Sequence, residues 1–377
     1  MGETGWQKGQ TAMIEEGKFG TQEAICLITT AIISKVFFSG PTTVVGIVGN
    51  ADWYVTILSA AIAMVGFLFI YLLLKRFPGK DITEIFNLSL GHFFGFIFSG
   101  ILALYMLFVS STRLAEFSEV FKVYILPLSP NWYIIGFFIV SVFILSRLGL
   151  ESIARFSKLV AYPMLIGFII VLALSAQNYN TNNIYPVLGH GLGKTITTGI
   201  MRSSIYGEII ILAIFAKAFQ GIEYIKREGI ISIGLSALII STSLLAFTLT
   251  FPYYVAQEML GLVYRMAELI DYGPFFQRIE PITLFIWIIS ALISTTIVFY
   301  SFVWIFCKMF KIQDKNPVIL GGAIIVYAAA LIHKDIITII LKNIDFMRSL
   351  GSIVFFILPL LTLIVAAIRK KGDKRNA

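Results

Sequence analysis

The sequence predicts an all-α protein that crosses a membrane many times, and two observations support this. Of its 377 residues, 58% are hydrophobic and only 13% are charged, with a mean hydropathy of +0.88. Soluble domains are about 25% charged. The apolar residues also form ten separate runs, most of them long enough to cross a bilayer. This composition excludes a water-soluble enzyme, a disordered chain and a secreted disulfide scaffold.

The ten apolar runs are interpreted as ten transmembrane helices joined by short turns. The turns are marked by Phe77-Pro78-Gly79, by Leu126-Pro127-Leu128-Ser129-Pro130 and by Asn316-Pro317. Two of the runs, 131–147 and 317–332, are short or marginal. In order, the runs are 21–49, 53–74, 92–124, 131–147, 151–175, 195–219, 229–251, 280–307, 317–332 and 348–368.

The remaining segments are assigned to the two membrane surfaces. Residues 1–20 form a polar cytoplasmic tail without the apolar core of a signal peptide, and 369–377 form a basic one. Residues 176–194 form an Asn-rich outer loop. An amphipathic stretch at 253–269 predicts a helix on the outer face, and 81–90 predicts a short helix on the cytoplasmic surface.

The distribution of Lys and Arg sets the expected orientation. With the amino terminus inside, cytoplasmic segments hold 19 of these residues and outer segments hold seven. Lys35, Arg113 and Arg202 fall within spans. Cytoplasmic loops normally carry the excess of positive residues. Both termini are therefore expected in the cytoplasm.

Ten spans divide into two halves of five, 21–175 and 195–368, and an odd number per half inverts the second relative to the first. The first helix of each half contains helix-breaking residues in its middle. Matching interruptions in two inverted halves indicate a transporter-type binding site. Each could also be an ordinary kink, because Gly and Pro are common in membrane helices. The residues concerned are Ser39, Gly40, Pro41 and Thr42 in the first half, and Ser203, Tyr206, Gly207 and Glu208 in the second.

The two interruptions predict where a ligand binds. Half-helices that restart at about 41 and 207 would direct their positive ends into a cavity, which suits a carboxylate. Backbone carbonyls freed by the interruptions would suit an ammonium group. An amino acid carries both groups. Tyr105 of the third span is predicted to form one wall of the site.

Glu208 is the most informative residue, because a carboxylate at bilayer depth costs roughly 2.5–3.5 kcal/mol and needs a partner. Lys35 and Lys158 are the candidate partners. Glu208 either binds a ligand ammonium or carries a proton, or it forms a structural ion pair; the sequence leaves these alternatives open.

Lys158 with Ser294 and Thr295 forms a second predicted cluster, in which a lysine ammonium could stand where a sodium ion would bind. Charged residues at 113, 116, 119 and 122 recur at a spacing of three and predict a salt-bridged face of the third span. Neither a metal-ligand pattern nor a nucleophile–base pair is found in the sequence. We therefore expect no enzymatic activity, no metal and no organic cofactor.

Several motifs, in a consistent order, resemble the endospore germination permease family, the B subunits of spore germinant receptors, within the amino acid–polyamine–organocation superfamily. They are Gln22, Phe77-Pro78-Gly79, Thr83-Glu84, Leu90-Gly91-His92-Phe93-Phe94-Gly95, Arg113-Leu114-Ala115-Glu116-Phe117, Leu126-Pro127-Leu128-Ser129-Pro130, Gly149-Leu150-Glu151-Ser152-Ile153-Ala154-Arg155, Ile184-Tyr185-Pro186-Val187-Leu188, Tyr206-Gly207-Glu208 and Phe276-Gln277-Arg278-Ile279-Glu280.

The resemblance implies a ten-helix inverted-repeat fold similar to the leucine transporter, with the first and sixth helices broken. It implies a nutrient-sensing role in the spore inner membrane, with an amino acid as ligand and no covalent chemistry. It also implies two partners, an A-type membrane subunit and a C-type lipoprotein. The alternative function is a secondary amino acid transporter, either proton-coupled or uncoupled, because one fold can serve both roles.

Overall fold

The protein is described here from a computed structural model, which describes residues 19–37, 40–259, 261–273, 279–332 and 339–372. These residues form helices and connecting turns, and no β-strand occurs among them. The all-helical fold class predicted from the sequence is therefore confirmed for the described part of the chain.

The helices follow the apolar runs closely, and the described part of the chain contains sixteen α-helical segments. They are α1 (Thr21–Ile33), α2 (Gly40–Val48), α3 (Asp52–Arg76), α4 (Ile82–Leu90), α5 (His92–Tyr124), α6 (Asn131–Arg147), α7 (Leu150–Ser175), α8 (Leu192–Met201), α9 (Ile211–Ile214), α10 (Ile222–Thr250), α11 (Tyr253–Ala256), α12 (Leu262–Glu268), α13 (Glu280–Phe310), α14 (Asn316–Leu331), α15 (Asp345–Ser352) and α16 (Leu358–Ile368).

Six helical stretches in the described part of the chain are long and apolar enough to cross a membrane. Two shorter apolar helices, α6 and α14, accompany them. The chain is therefore a multi-pass membrane protein. The six stretches are Gly40–Arg76, His92–Tyr124, Leu150–Asn178, Ile222–Thr250, Glu280–Phe310 and Asp345–Ile368.

The first apolar run is interrupted in its middle. Helix α1 ends at Ile33, a 3₁₀ helix follows at Ser34–Phe37, and α2 begins at Gly40. Pro41 is then the second residue of α2, where its missing N–H removes no helical hydrogen bond. Ser39, which the sequence places at this interruption, lies outside the described residues.

The sixth apolar run is also interrupted, but differently from the expectation. Helix α8 ends at Met201, and the 3₁₀ helix Arg202–Ile210 replaces the expected open break. The α-helix resumes at Ile211 rather than at about 207. The expected restart near Gly207 is therefore wrong, because the chain stays coiled in the tighter form through the polar stretch.

Two surface segments were predicted as helices. Helix α4 begins after Asp81, whose carboxylate accepts hydrogen bonds from the backbone N–H groups of Thr83 and Glu84. The expected outer helix at 253–269 is instead two short helices, α11 and α12. Gly261 precedes α12 in the left-handed conformation, which glycine adopts without steric cost.

The helices pack into one bundle, in which α5 lies along α13 and α3 lies along α10. The second pair approaches closely at Gly229 of α10. A Cβ atom there would lie 2.0 Å from the ring of Phe67 on α3. Small residues at such crossings let membrane helices come together.

Cysteine labelling tests the orientation of the chain in the membrane. In a background with Cys26 and Cys307 changed to serine, we expect a maleimide applied from outside to label Asn178→Cys and not Lys371→Cys. The reason is the excess of Lys and Arg in the segments placed inside. Permeabilised membranes, in which both positions should react, provide the control. Equal labelling in intact membranes would contradict the ten-span arrangement.

Candidate functional site

The candidate site centres on Glu208, which the 3₁₀ helix Arg202–Ile210, the second 3₁₀ helix described above, places inside the bundle. Its side chain is 8% exposed. One carboxylate oxygen accepts a hydrogen bond from the ammonium group of Lys35, and the other accepts one from the guanidinium group of Arg113. Glu208 thus holds one cation from the first interruption and one from the third apolar run.

Both cations make a second contact, and these contacts extend the network. Lys35 donates a second hydrogen bond to the carbonyl oxygen of Ile205 in the second 3₁₀ helix. Arg113 donates to the hydroxyl of Ser294 on α13, and that hydroxyl donates to the carbonyl of Ala31 at 3.0 Å. We call Lys35, Arg113, Glu208 and Ser294 the midplane network, after the membrane depth that the sequence predicts for them.

The midplane network joins four parts of the bundle: the first interruption, the second interruption, α5 and α13. Its charged members are all buried, with exposures of 8%, 3% and 8% for Lys35, Arg113 and Glu208. Breaking such a buried ion pair by removing one partner costs about 3–5 kcal/mol, because an uncompensated charge is left behind. The network therefore fixes the relative position of both interruptions.

Little space remains between the two interruptions. A cavity of about 20 Å³ lies there, bounded by Lys35, Gly40, Pro41 and Ile205 among others. That volume is close to the roughly 10–15 Å³ needed to hold a single water molecule. The space between the interruptions is thus too small for an amino acid in this structure, and an amino acid would enter it only if the interruptions moved apart.

The other predicted residues of the first interruption have defined surroundings. Gly40 and Pro41 are buried, and a Cβ atom on Gly40 would lie 3.0 Å from the carbonyl oxygen of Lys35. The hydroxyl of Thr42 donates to the carbonyl of Met259, between α11 and α12. The first interruption is thus connected to the segment that contains the two short surface helices.

The predicted residues of the second interruption have varied roles. Ser203 bonds its own helix at the carbonyl of Ile200, at 2.7 Å. The hydroxyl of Tyr206 donates to the carbonyl of Thr56 on α3, at 3.1 Å. Gly207 has open space where a Cβ atom would be. Tyr206 therefore ties this segment to α3, while Gly207 leaves room beside Glu208.

Tyr105 lies near the second interruption, as its predicted role as a wall requires. A Cβ atom on Gly351 would lie 2.6 Å from the Tyr105 hydroxyl and 3.1 Å from Cβ of Ser204. Tyr105, Ser204 and Gly351 therefore meet at one point. The close approach of α5 and α15 at this point depends on the absence of a side chain at Gly351.

The predicted cluster of Lys158 with Ser294 and Thr295 does not form. The Lys158 ammonium contacts Glu23 of α1 at 2.8 Å. Ser294 contacts Ala31, eight residues further along α1, which is about 12 Å at 1.5 Å per residue. Thr295 is buried beside Ser294 on α13. The cation beside these hydroxyls is Arg113, and Lys158 is not a partner of Glu208.

Arg113 is the functional-site residue that the sequence reasoning missed. Its spacing from Glu116 and Glu119 suggests salt bridges among residues on one face of the same helix, but its side chain points into the bundle. Glu119 instead accepts a hydrogen bond from Asn131 at the start of α6. One signal could have identified Arg113: a cation within an apolar span needs an acidic partner, and Glu208 is a carboxylate at similar depth.

Comparison with known proteins places this architecture in a family. Residues 19–367 match the spore permease family, described as spore germination proteins. Spore germination protein YndE of Bacillus subtilis (strain 168) is 23% identical over 366 residues, which cover 95% of this chain and 98% of that protein. Spore germination protein A2 of the same organism is 22% identical, covering 94% and 97%. The chain thus belongs to the spore germination permease family.

Proposed function

We propose that this protein is the nutrient-sensing subunit of a spore germinant receptor, and that it binds a small ligand, an amino acid, at the membrane midplane. The proposal includes ten spans in two inverted halves, 21–175 and 195–368, as in the leucine transporter fold. Both termini would then lie in the cytoplasm, with the protein in the spore inner membrane. Its partners would be an A-type membrane subunit and a C-type lipoprotein.

One observation carries the proposal: Glu208 binds Lys35 and Arg113 at the place where two interrupted helices meet. An amino acid can exchange with these ion pairs without a net change in buried charge. Its ammonium group would bind Glu208, and its carboxylate would bind the cation that Glu208 releases. Charge-assisted hydrogen bonds of this kind contribute roughly 1.5–3 kcal/mol each.

The closed site links ligand binding to a change in shape. The roughly 20 Å³ space between the interruptions is too small for an amino acid. A ligand that binds only the open form shifts the population toward that form. Because the midplane network joins four parts of the bundle, opening it would move α5 and α13 relative to the interruptions. Partner subunits could detect such a movement, which is what a sensor requires.

Gly40→Leu tests the ligand site. The added side chain would press on the Lys35 backbone and fill the space between the interruptions, because a Cβ atom alone lies 3.0 Å from the Lys35 carbonyl. We expect the variant to insert into membranes normally, to lose detectable binding across a panel of twenty amino acids, and to abolish the germination response.

Gly46→Leu on the same helix is the matched control. Gly46 is exposed, and the atom nearest to its added Cβ would be 3.8 Å away. This variant should bind and respond as the unaltered protein does. Normal amino acid binding by Gly40→Leu would show that the first interruption is not part of the ligand site. Accumulation of labelled amino acid in proteoliposomes of the unaltered protein would favour the transporter alternative over a sensor.

A further inference from the structure

A second cavity, of about 640 Å³, lies beside the midplane network, and Ser203 of the second interruption is part of its lining. It is bordered by α2, α3, the end of α8, and α15 with the π-helix Ile353–Ile357 that follows. Its apolar lining includes Ile47, Ile62, Met201, Phe356 and Ile357. Its polar lining includes one acid, Asp345, and two arginines, Arg202 and Arg348, together with Thr198, Ser203, Ser349 and Ser352. We call it the arginine cavity.

The two arginines are buried without partners. Arg202 is 5% exposed and Arg348 is 9% exposed. Nη1 of Arg202 and Nε of Arg348 are buried with no hydrogen-bond partner in the described part of the chain. Neither guanidinium forms an ion pair or a side-chain hydrogen bond with any described residue. A buried guanidinium nitrogen without a partner is costly, because it has lost water and gained no hydrogen bond in return.

The charges that surround the two arginines do not neutralise them. The positive charge of each arginine acts on the other, and Asp345 acts on Arg202. Arg348 also interacts electrostatically with two acids, Glu208 and Glu116, and with the cation Arg113. Glu208 already holds two cations, and Asp345 is exposed. With Lys35, the region contains four cations and three acids.

Glu116 is buried and takes part in an interaction of its own. Four cations and three acids leave one positive charge of this region unmatched, and Arg202 and Arg348 are the two cations that form no ion pair with a described residue. A guanidinium group presents a planar fork of N–H donors that matches a carboxylate or a phosphate with two hydrogen bonds. The apolar lining would hold a hydrocarbon portion beside that anionic group.

We propose that Arg202 and Arg348 form a binding site for an anionic group carried by a molecule with an apolar remainder. This site adjoins the one at Glu208, and the proposal does not depend on the proposed nutrient-sensing function. Two sources can supply such a group: a small soluble carboxylate and the headgroup of an anionic lipid. Arg348 also borders the small cavity between the interruptions, so an anion bound here lies next to the midplane network.

Pentanoate is a suitable soluble probe, with pentylammonium as its counterpart of similar size and opposite charge. The full chain would be placed in phosphatidylcholine nanodiscs, and its unfolding temperature measured as each compound is added. A ligand that binds the folded state raises this temperature in a saturable way. We expect pentanoate to do so and pentylammonium not to.

The variants assign the effect to the cavity. Arg202→Gln and Arg348→Gln should each raise the pentanoate concentration needed for half of the full temperature shift at least tenfold. In the double variant, pentanoate should no longer raise the unfolding temperature. Arg265→Gln, which removes a half-buried arginine that pairs with Glu268 and stacks on Tyr124 away from the cavity, should behave as the unaltered protein does. Without ligand, the double variant should unfold at or above the temperature of the unaltered protein, because it has lost two unpaired buried charges.

Nanodiscs that contain phosphatidylglycerol distinguish the two sources. If a lipid headgroup occupies the site, this lipid raises the unfolding temperature of the unaltered protein but not of the double variant, and pentanoate then adds nothing. If the source is soluble, pentanoate acts equally in both lipids. The proposal is overturned if neither pentanoate nor phosphatidylglycerol raises the unfolding temperature of the unaltered protein more than that of the double variant. It is also overturned if the double variant without ligand unfolds at a far lower temperature than the unaltered protein.

Discussion

Glu208→Gln is expected to destabilise the protein strongly, by about 3–5 kcal/mol. The substitution keeps the size of the side chain and removes its charge. Lys35 and Arg113 would then remain buried as cations with no acid between them. The measurement is the unfolding temperature in detergent, together with the amount of protein recovered from membranes.

Glu151→Gln is the matched control for this change. Glu151 pairs with Arg155 on the surface of α7, where both side chains are accessible. Exposed pairs of this kind contribute about 0–1 kcal/mol. An equal effect of the two substitutions would show that Glu208 is not at the centre of a buried network.

The same Glu208 variant separates the two interpretations that the sequence leaves open. If Glu208 binds the ammonium of the ligand, affinity in the surviving protein should fall by a factor of ten or more, since charged hydrogen bonds contribute roughly 1.5–3 kcal/mol. Affinity that stays at the level of the unaltered protein would assign Glu208 a purely structural role. Isothermal titration calorimetry with the amino acid that binds most tightly in the panel measures this affinity.

Much of the helical architecture could be predicted, because apolar runs and their punctuation are local properties of the sequence. Phe77-Pro78-Gly79 separates α3 from α4, and Gly149 in a positive-φ conformation separates α6 from α7. The first interruption followed from Gly40-Pro41 for the same reason. The form of the second could not be derived. A run such as Arg202-Ser203-Ser204 is compatible with an open break or with a 3₁₀ helix, and packing decides between them.

The partners in the site were harder to predict than the helices, because they depend on which face of each helix points inward. Arg113 illustrates this. Its neighbours at a spacing of three offered pairing within one helix, and that pattern outweighed the need of Glu208 for a second cation. Lys158 illustrates a different error, in which the predicted partners lie too far away in the folded chain. Glu23, close to the start of α1, was available as a partner, and the sequence alone gave no reason to prefer it.

Replacing the charged members of the midplane network by apolar residues should separate stability from function. The triple variant Lys35→Met, Arg113→Met and Glu208→Leu removes all three charges of the network together, so none of them is left without its partner. Substituting a buried ionic cluster by apolar residues of similar volume is often neutral or stabilising, by up to about 4 kcal/mol. We expect the triple variant to recover most of the stability that Glu208→Gln loses, and yet to give no response to amino acids.

The control for the triple variant removes a different ion pair, which also has one member in the first apolar run, 21–49. Lys158→Met with Glu23→Leu replaces the pair between α7 and α1, which is more exposed than the midplane network. This double variant should fold and respond normally, because it leaves both interruptions connected. If the triple variant also responded normally, the charges at the midplane would be structural only, and ligand recognition would have to be sought elsewhere in the bundle. If both variants lost the response, the loss would reflect a general sensitivity of the first apolar run, 21–49, to substitution.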